Sequence, residues 1–302
     1  MENKYKNTFS GLYFMGQRDM SQYDDSKIVI LPIAFQGTTT YGKGTKNAPK
    51  AILKASLYVE PFDEETLFDL DKVGVHTLKV QNFPDKASGE RAVFESHKIT
   101  EQILHDRKFP VLIGGEHTIS IGSIQATSEK YPNLSILQLD AHTDLDKAYE
   151  GKEFSHASMA HKTLELTNGK VKFTQVGIRS IIPELIFKAK NSKVTIFYAH
   201  NIINRKHKIN DIIKTLRKNV YITIDIDAFD PSVFPNTGTP EPNGLKWQYV
   251  INLIKEVSKQ RNVVCLDLVE HISHSTKRPH HSDFAAAKLL HKVLCFIWKN
   301  KT

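Results

Sequence analysis

The chain has 302 residues, of which 40% are hydrophobic and 25% charged, an ordinary composition for a folded globular protein. Its formal net charge of +8 comes from scattered lysines without a long basic run, which argues against a nucleic-acid-binding protein. No apolar stretch approaches the roughly 18 residues of a membrane span. Residues 1–6 are polar and lead into no apolar h-region, so we expect no signal peptide. Cys265 and Cys295 both lie in apolar periodic segments, so we expect buried thiols and a reducing cytoplasm.

Apolar runs and turn residues predict strands that alternate with helices along the chain. The predicted strands cover residues 28–33, 109–113, 134–139, 171–178, 194–198, 220–226 and 263–269. Two predicted helices begin near Asn47 and after a Ser88 cap. Five more cover residues 118–131, 155–166, 211–217, 250–257 and 286–297. No repeat or linker divides the sequence, so we predict a single domain over residues 1–302. The alternation predicts a three-layer α/β/α fold with a mostly parallel sheet.

Ionisable residues stand at or just past the carboxyl ends of four predicted strands. They are His117, Asp140, Asp225 and Glu270. Parallel strands bring these ends to one edge of the sheet, which is where ligands bind in such folds. We therefore expect the four side chains to face one site.

The segment after the strand 134–139 carries three candidate metal ligands at alternate positions, Asp140, His142 and Asp144. In an extended backbone, residues two apart point the same way, whereas on a helix His142 would point away from the two acids. Two carboxylates and an imidazole suit Mn²⁺, Zn²⁺ or Fe²⁺. Taken alone, the segment is equally compatible with a solvated turn.

A second acidic segment contains Asp225 and Asp227, while Asp230 is expected to form a turn. Two carboxylates this close repel each other, and one would stay protonated unless a bound dication favoured both charged forms. The candidate ligands then number six: His117, Asp140, His142, Asp144, Asp225 and Asp227. Six ligands are too many for one four-coordinate zinc, and they suit two bridged metals that activate a water molecule.

Three segments together resemble the signature motifs of the arginase/agmatinase ureohydrolase family. They are Gly-Gly-Glu-His at 114–117, Asp-Ala-His-Thr-Asp at 140–144 and the acidic segment at 225–231. Gly-Thr-Pro-Glu-Pro-Asn-Gly-Leu at 238–245 resembles the agmatinase branch, and the similarity runs from about residue 30 to the last helix. The resemblance implies an arginase-like fold and hydrolysis of a guanidino group to urea and an amine. Agmatine, which would give putrescine, is the substrate it favours.

The resemblance also implies two Mn²⁺ ions per chain, with Asp140 and Asp225 bridging them. The first ion would be held by His117, Asp140, Asp144 and Asp225. The second would be held by Asp140, His142, Asp225 and Asp227. By the same resemblance the protein is expected to be a homo-oligomer, a trimer or a hexamer.

Two further residues match catalytic positions of the family. His156 matches the proton-shuttling histidine, and Glu270 matches the acid that pairs with the substrate guanidinium. Asp144 would accept a hydrogen bond from the attacking hydroxide, and His156 would protonate the leaving amine. Without the resemblance, His156 is a helix-capping or core histidine and Glu270 a solvated strand end.

Departures from the family pattern concern substrate choice. Asp146 stands where arginases commonly carry Asn, Ala157 where Gly is usual, and His271 follows Glu270. Asp146 and the nearby Glu153 would repel a carboxylate and attract an ammonium, which predicts agmatine over arginine; alternatively, both point into solvent. His271 is expected at the surface, and the basic segment 274–281 has no assigned role.

Other hypotheses stay open on the sequence alone. The substrate could instead be arginine, guanidinobutyrate, an aminopropylated agmatine or guanidine. A non-catalytic, metal-stabilised family member is a different class, against which the intact ligand set argues. A basic nucleic-acid-binding protein is the third. The leading interpretation has a small cationic guanidino substrate and neither nucleic acid nor membrane as a partner.

Overall fold

Buried apolar strands separated by helices build the fold, as the alternation predicts. The computed structural model describes residues 11–16, 22–275 and 280–301, so residues 1–6 and residues 276–279 of the basic segment lie outside the described part. The strands are β1 (Ile28–Ala34), β2 (Phe62–Asp63), β3 (Phe68–Asp69), β4 (Val75–Thr77), β5 (Gln81–Asn82), β6 (Phe109–Ile113), β7 (Leu134–Leu139), β8 (Lys172–Ile178), β9 (Val194–Tyr198), β10 (Asn219–Asp225) and β11 (Asn262–Val269). The helices are α1 (Ala48–Ser56), α2 (Gly89–His105), α3 (Thr118–Lys130), α4 (Met159–Leu166), α5 (Pro183–Lys190), α6 (Ala199–Ile203), α7 (Ile209–Ile213), α8 (Trp247–Gln260) and α9 (His281–Lys299).

Within the described residues the main sheet has nine strands, and every pair of these is parallel. The strand order is β4-β1-β6-β11-β10-β7-β8-β9, with β5 also pairing with β1. The short strands β2 and β3 form a separate antiparallel hairpin. The predicted mostly parallel sheet is therefore confirmed.

Helices cover both faces of this sheet, which confirms the three-layer α/β/α prediction. Ile28 and Ile30 of β1 face a core that also contains residues of α1, α8 and α9. Val29 and Leu31, which point the opposite way, face a second core with residues of α2, α3 and α4. Because both faces are covered, all residues of β1, β6 and β7 are buried. Among the described helices, none combines the length and the apolar character that crossing a bilayer requires.

Several predicted elements differ from the structure in extent. The helix predicted over residues 211–217 corresponds to α7, which already ends at Ile213. The residues that follow α7 form hydrogen bonds with neighbouring strands instead. The amide of Arg217 donates to Ser135 Oγ at 2.9 Å, and the hydroxyl of Thr215 lies 2.7 Å from that of Thr174. Ile226, predicted to end a strand, lies in a short 3₁₀ turn, Ile226–Ala228. The predicted Ser88 cap of α2 is confirmed, with the Arg91 amide donating to its hydroxyl.

The site is positioned by the four central strands, β6, β11, β10 and β7, which lie side by side. The loop after β6 passes very close to the end of β1. A Cβ atom on Gly115 would lie 1.9 Å from the carbonyl oxygen of Phe35, so only glycine fits there. Gly115 also donates to Ile33 O and accepts from the Glu270 amide, which joins the ends of β1, β6 and β11.

Candidate active site

A cleft of about 270 Å³ opens at the carboxyl edge of the four central strands. Eight of the sequence-predicted site residues line it: His117, His142, Asp144, Asp146, His156, Asp225, Asp227 and Glu270. Asp140 lies beneath them and is fully buried. The structure therefore brings together every residue that the sequence placed in the site, apart from Glu153.

His117 is the centre of the first cluster of candidate ligands. Its Nδ1 atom lies 2.9 Å from Asp144 Oδ2, 3.3 Å from Asp140 Oδ2 and 3.4 Å from Asp225 Oδ2. His142 is the centre of the second, with Nδ1 3.0 Å from Asp227 Oδ2 and 3.7 Å from Asp140 Oδ1. Asp140 thus faces both clusters with different oxygens, the arrangement of a bridging ligand.

The segment 140–144 reaches this arrangement by a turn. The chain bends at residues 141 and 142, and the His142 amide donates to Asp140 Oδ1 at 2.6 Å. Asp144 has a positive φ of 49°. The expected extended backbone is therefore wrong, although the convergence that it was meant to explain is present. A hydrogen bond of 3.0 Å from the Ala141 amide to Asp227 Oδ1 ties this turn to the second acidic segment.

The closely spaced acids shift each other's pKa values, as their spacing predicts. Burial, together with Asp227 and Asp140, raises the pKa of Asp225 well above its ordinary value. Burial and the charge of Asp140 raise the pKa of Asp144 to about 7. Burial alone would lower the pKa of His117, but the neighbouring carboxylates raise it well above its ordinary value. The cluster therefore holds protons. A bound dication would displace them, because it favours the charged carboxylates.

Two buried atoms of the cluster indicate that a cation fits between them. His117 Nδ1 and Asp144 Oδ2 have no hydrogen-bond partner of good geometry among the described residues, although they lie 2.9 Å apart. Buried polar atoms are rarely left in this state. An imidazole nitrogen and carboxylate oxygens are also the donors that divalent transition metals accept. The residues present therefore fit a metal centre.

A buried relay fixes the orientation of the His117 ring. Nε2 lies 2.8 Å from the Thr223 hydroxyl, which donates to Asp267 Oδ1 at 2.5 Å. The Tyr221 hydroxyl donates to the other oxygen of Asp267 at 2.6 Å. Since the Thr223 proton is committed to Asp267, Nε2 must carry the ring proton. With a metal ion bound, Nδ1 would then be the unprotonated nitrogen on the carboxylate side, as metal-binding histidines require.

Asp140 is held from behind by two glutamines. Gln138 Nε2 donates to Asp140 Oδ2 at 2.8 Å, and Gln175 Nε2 donates to Gln138 Oε1 at 2.8 Å. Both glutamines lie on adjacent strands, at paired positions of β7 and β8. The rigid sheet therefore sets the direction in which Asp140 points.

Glu270 is buried in the cleft wall, which contradicts the solvated strand end. It follows β11 with a positive φ of 60°, and the residue is 8% exposed. Its Oε1 atom accepts the His117 amide at 2.6 Å. Burial, with the nearby Glu116, raises its pKa well above the ordinary value. A cationic substrate beside this carboxyl would favour its charged form.

His156 is neither a helix cap nor a core residue. It begins a 3₁₀ turn that Ser155 caps. Its ring nitrogens contact two hydroxyls, Nδ1 with Thr38 Oγ1 at 3.0 Å and Nε2 with Thr40 Oγ1 at 2.8 Å. The ring of Tyr149 stands edge-on, 5.1 Å away. Burial, followed by the charges of the cluster histidines, lowers the pKa of His156 to about 4.

Glu116 is a site residue that our sequence analysis missed, although it lies inside the Gly-Gly-Glu-His motif. Its fully buried carboxylate accepts the amides of Gly37, Thr38 and Thr39 at 2.5, 2.8 and 3.1 Å. It also accepts the hydroxyl of Thr38. Burial raises the pKa of Glu116, and these donors oppose the shift. Asp267 was missed as well, although an acid inside a strand that is otherwise apolar signals a buried, partnered carboxylate.

The two acids expected to read the far end of the substrate have different positions. Asp146 lines the cleft and is half-buried, and burial raises its pKa. Glu153 is absent from the cleft wall, and its side chain pairs at 2.7 Å with Lys162. The expectation that Glu153 attracts a substrate ammonium is therefore wrong, because a lysine already neutralises it.

His271 was expected at the surface, and this is wrong. It is 1% exposed, and Nε2 lies 2.8 Å from Asp283 Oδ1 at the start of α9. Burial raises the pKa of Asp283, but hydrogen bonds from His271 and the His280 amide outweigh it and lower the pKa. The pair anchors the segment after Glu270 to α9.

Arg179 braces the opposite wall of the cleft. Its guanidinium donates to six backbone carbonyls: those of Gly177, Asp227, Ala228, Phe229, Glu241 and Pro242. These acceptors belong to the end of β8, to the second acidic segment and to the segment that resembles agmatinases. Gly238 and Thr239 of the last segment line the cleft. One cation therefore holds a wall of the site in place.

The fold is an α/β/α sandwich, and the cleft at its carboxyl edge contains groups of residues that could hold a metal ion. A sequence profile of the Arginase family matches residues 26–295. The chain therefore belongs to the arginase family, and it is a ureohydrolase, a metal-dependent amidinohydrolase.

Similar proteins match over nearly the whole chain. The N(1)-aminopropylagmatine ureohydrolase of Thermus thermophilus is 33% identical over 283 residues, which are 92% of each chain. The agmatinase of Bacillus cereus is 29% identical, over 96% of this chain and 98% of that protein. Among solved structures, the agmatine ureohydrolase of Thermoplasma volcanium has a TM-score of 0.81 at 28% identity, over 92% of both chains.

Proposed function

We propose that this protein hydrolyses the guanidino group of a small cationic amine to urea and an amine, with agmatine as the leading substrate and putrescine as its product. One observation carries the proposal. A single cleft joins the carboxylate and imidazole clusters to Glu270 and His156. The names of similar proteins, agmatinase and N(1)-aminopropylagmatine ureohydrolase, support this substrate class.

Two Mn²⁺ ions are part of the proposal. The first would be held by His117, Asp140, Asp144 and Asp225, and the second by Asp140, His142, Asp225 and Asp227. Four carboxylates with two imidazoles form a mostly hard donor set, which suits Mn²⁺. Bound there, the ions would neutralise the acids and supply an activated water for attack on the guanidinium carbon.

The protein's own residues orient the substrate and move the proton. The Glu270 carboxylate orients the guanidinium through charge-assisted hydrogen bonds. Asp144 Oδ2, unpartnered among the described residues, accepts a hydrogen bond from the attacking water. His156 is neutral near pH 7, because burial lowers its pKa to about 4. It therefore acts by receiving a proton during the reaction and passing it to the leaving amine.

An aminopropylated agmatine is the second candidate substrate. The outer wall of the cleft contains Tyr41, which is 82% exposed, and Ile182, which is 53% exposed. Tyr149 and Leu185 line the cleft as well, so this wall offers apolar surface to a chain longer than that of agmatine. A relative with N(1)-aminopropylagmatine in its name supports this candidate.

The decisive experiment is urea release from a panel of guanidino compounds by Mn²⁺-loaded protein. The panel contains agmatine, N(1)-aminopropylagmatine, arginine, guanidinobutyrate and guanidine. We expect kcat/KM for agmatine or its aminopropyl derivative to exceed that for arginine by at least about 10²-fold. His156→Asn should lower kcat by about 10²- to 10⁴-fold with unchanged metal content. A protein that binds metal but releases no urea from any of these compounds would refute the proposal.

We also propose that the enzyme works in the cytoplasm as a homo-oligomer. Cys265 and Cys295 are buried free thiols, in keeping with a reducing compartment. A trimer or hexamer rests on family resemblance alone. Light scattering on the purified protein would test the assembly, and a monomeric mass at working concentration would contradict it.

A further inference from the structure

Both ring nitrogens of His156 are engaged by hydroxyls of one loop, residues 37–40. The Thr38 hydroxyl lies 3.0 Å from Nδ1, and that of Thr40 lies 2.8 Å from Nε2. A hydroxyl has one proton to donate, and a neutral imidazole carries one proton on one of its two nitrogens. The protonated ring nitrogen therefore depends on where the Thr38 hydroxyl donates.

Glu116 determines that direction. Thr38 donates its hydroxyl proton to Glu116 Oε2. The amides of Gly37 and Thr39 donate to Oε1 of the same carboxylate, which is surrounded by donors and therefore acts as an acceptor. With its proton committed to Glu116, Thr38 Oγ1 presents only lone pairs to His156. It accepts the His156 amide at 3.2 Å, and it must accept Nδ1–H as well.

We propose that Glu116 and Thr38 are positioning residues of this enzyme, which hold His156 in the Nδ1–H tautomer and keep Nε2 as its basic nitrogen. The proposal rests on the proposed function insofar as His156 carries a proton in the reaction. Nε2 faces Thr40, which lies on the cleft wall, so the basic nitrogen is on the substrate side.

The tautomer decides whether His156 can carry a proton. The attacking water forms its bond to the guanidinium carbon and loses a proton, which enters at Nε2. The same nitrogen gives that proton to the leaving amine as the C–N bond breaks, while Nδ1–H stays hydrogen-bonded to Thr38. The second proton of the attacking water leaves the oxygen as the urea carbonyl forms, and it ends on the released amine, which is an ammonium near pH 7. In the opposite tautomer Nε2 is already protonated and cannot receive the proton. A Thr38 hydroxyl released from Glu116 could rotate toward Nδ1 and favour that tautomer.

Substitutions at Thr38 separate this role from simple support of the loop. Thr38→Val keeps the shape of the side chain and the amide that Glu116 accepts at 2.8 Å, and it removes only the hydroxyl. We expect kcat to fall by about 10- to 100-fold while KM and metal content change by less than about twofold. Thr38→Ser restores the hydroxyl and should recover kcat to within about threefold of the wild type.

A matched control is Thr127→Val, the same change at a buried threonine of α3 that does not line the cleft. Its hydroxyl donates to Ser123 O within its own helix, at 2.7 Å. We expect kcat to stay at the wild-type value. Thermal unfolding of all three variants shows whether each is folded. Unchanged kcat in a folded Thr38→Val protein would overturn the proposal.

The ¹⁵N spectrum of histidine-labelled protein measures the tautomer directly. Zn²⁺ replaces Mn²⁺ in this experiment because it is diamagnetic, and the His156→Asn variant identifies the signals. We expect His156 in the wild type to show a protonated Nδ1 and an unprotonated Nε2, and Thr38→Val to lose this preference. An Nε2–H tautomer in the wild type would overturn the proposal even in a protein that releases urea. Absence of urea release from every compound would instead refute the proposed function, and the spectrum would still report on the relay.

Discussion

At the scale of single residues, we expect different effects on metal content and substrate choice when different acids of the cleft are replaced. Asp225 faces His117 at 3.4 Å, and its Oδ1 atom accepts the Asp227 amide at 2.8 Å. In our proposal both ions share it. We therefore expect Asp225→Asn to reduce the metal content from two ions per chain to one or none, and to abolish urea release. Elemental analysis of the purified variant after dialysis measures this.

Asp230→Asn is the matched control for the loss of an acid from the same segment. Asp230 Oδ1 accepts the amide and hydroxyl of Ser232, so it forms the turn that the sequence predicted. This variant should keep two ions and its activity. A single tightly held ion in fully active wild-type protein would contradict the two-metal proposal.

Asp146 should act on substrate choice. Arginine carries a carboxylate that this half-buried acid would repel, whereas the distal amine of agmatine is attracted. We expect Asp146→Asn to raise KM for agmatine and to narrow the preference for agmatine over arginine, with little change in kcat. Steady-state kinetics with both substrates measures the change. Glu153→Gln is the control, since Glu153 already pairs with Lys162, and it should leave KM unchanged. Efficient hydrolysis of arginine with no hydrolysis of agmatine would place the protein in the arginase branch.

At the scale of elements, the crossing of α2 and α3 depends on one glycine. A Cβ atom on Gly122 would lie 2.0 Å from the carbonyl oxygen of Val93 and 2.4 Å from the Ser96 hydroxyl oxygen. Alanine would gain about 1 kcal/mol in helix propensity. Forcing the two helices apart should cost more, so we expect Gly122→Ala to lower the free energy of unfolding by about 1–3 kcal/mol. Urea denaturation measures it. Ser128→Ala on the same helix should change it by less than about 0.5 kcal/mol, and equal stabilities would contradict this packing.

The long strands could be predicted from the sequence because they carry their own pattern. The predicted bounds 109–113 and 134–139 are those of β6 and β7, whose apolar runs are buried on both faces. Strands β4 and β5 have three and two residues, and they form only by pairing with β1. Such elements are set by tertiary contacts, and no local pattern marks them.

The same distinction explains the site. The candidate ligands could be predicted because each follows a strand whose end the sequence shows. Glu116 could not be assigned a role, because its partner Thr38 is 78 residues away in the chain. His271 was misplaced for a similar reason. A histidine next to a basic segment resembles a surface residue until Asp283, 12 residues further along the chain, is known to accept from it.

At the scale of the whole molecule, one buried cation joins distant parts of the chain. Lys292 of α9 lies 2.7 Å from the fully buried carboxylate of Asp63 in the β2–β3 hairpin. Burial raises the pKa of Asp63, but hydrogen bonds from Lys292 and Thr66 outweigh it and lower the pKa below the ordinary 3.8. Lys292→Met leaves this carboxylate unpaired. We expect it to lower the free energy of unfolding by about 3 kcal/mol at pH 7.

The pH dependence of this stabilisation follows from the direction in which the pKa of Asp63 is shifted. Because the pKa of Asp63 is lower in the folded protein, the pair stabilises the fold fully above the unfolded pKa of about 4. The stabilisation disappears as the pH falls through the folded pKa, since Asp63 is then protonated with or without Lys292. The free energies of unfolding of wild type and variant should therefore converge as the pH falls below about 4. A difference that stays constant from pH 7 to pH 3 would show that the lost stability comes from packing alone.

The strand order of the main sheet also bears on how the chain is made. Strands β6 and β7 follow each other in sequence, yet β11 and β10 lie between them in the sheet. During synthesis on the ribosome, the edges of β6 and β10 that face β11 therefore stay unpaired until residues 262–269 emerge. Unpaired edges of apolar strands are where nascent chains aggregate. The cleft takes side chains from all four of these strand ends, so it would appear last. We expect a chain cut short before residue 262 to be captured by chaperones or degraded, and not to persist as a weakly active enzyme.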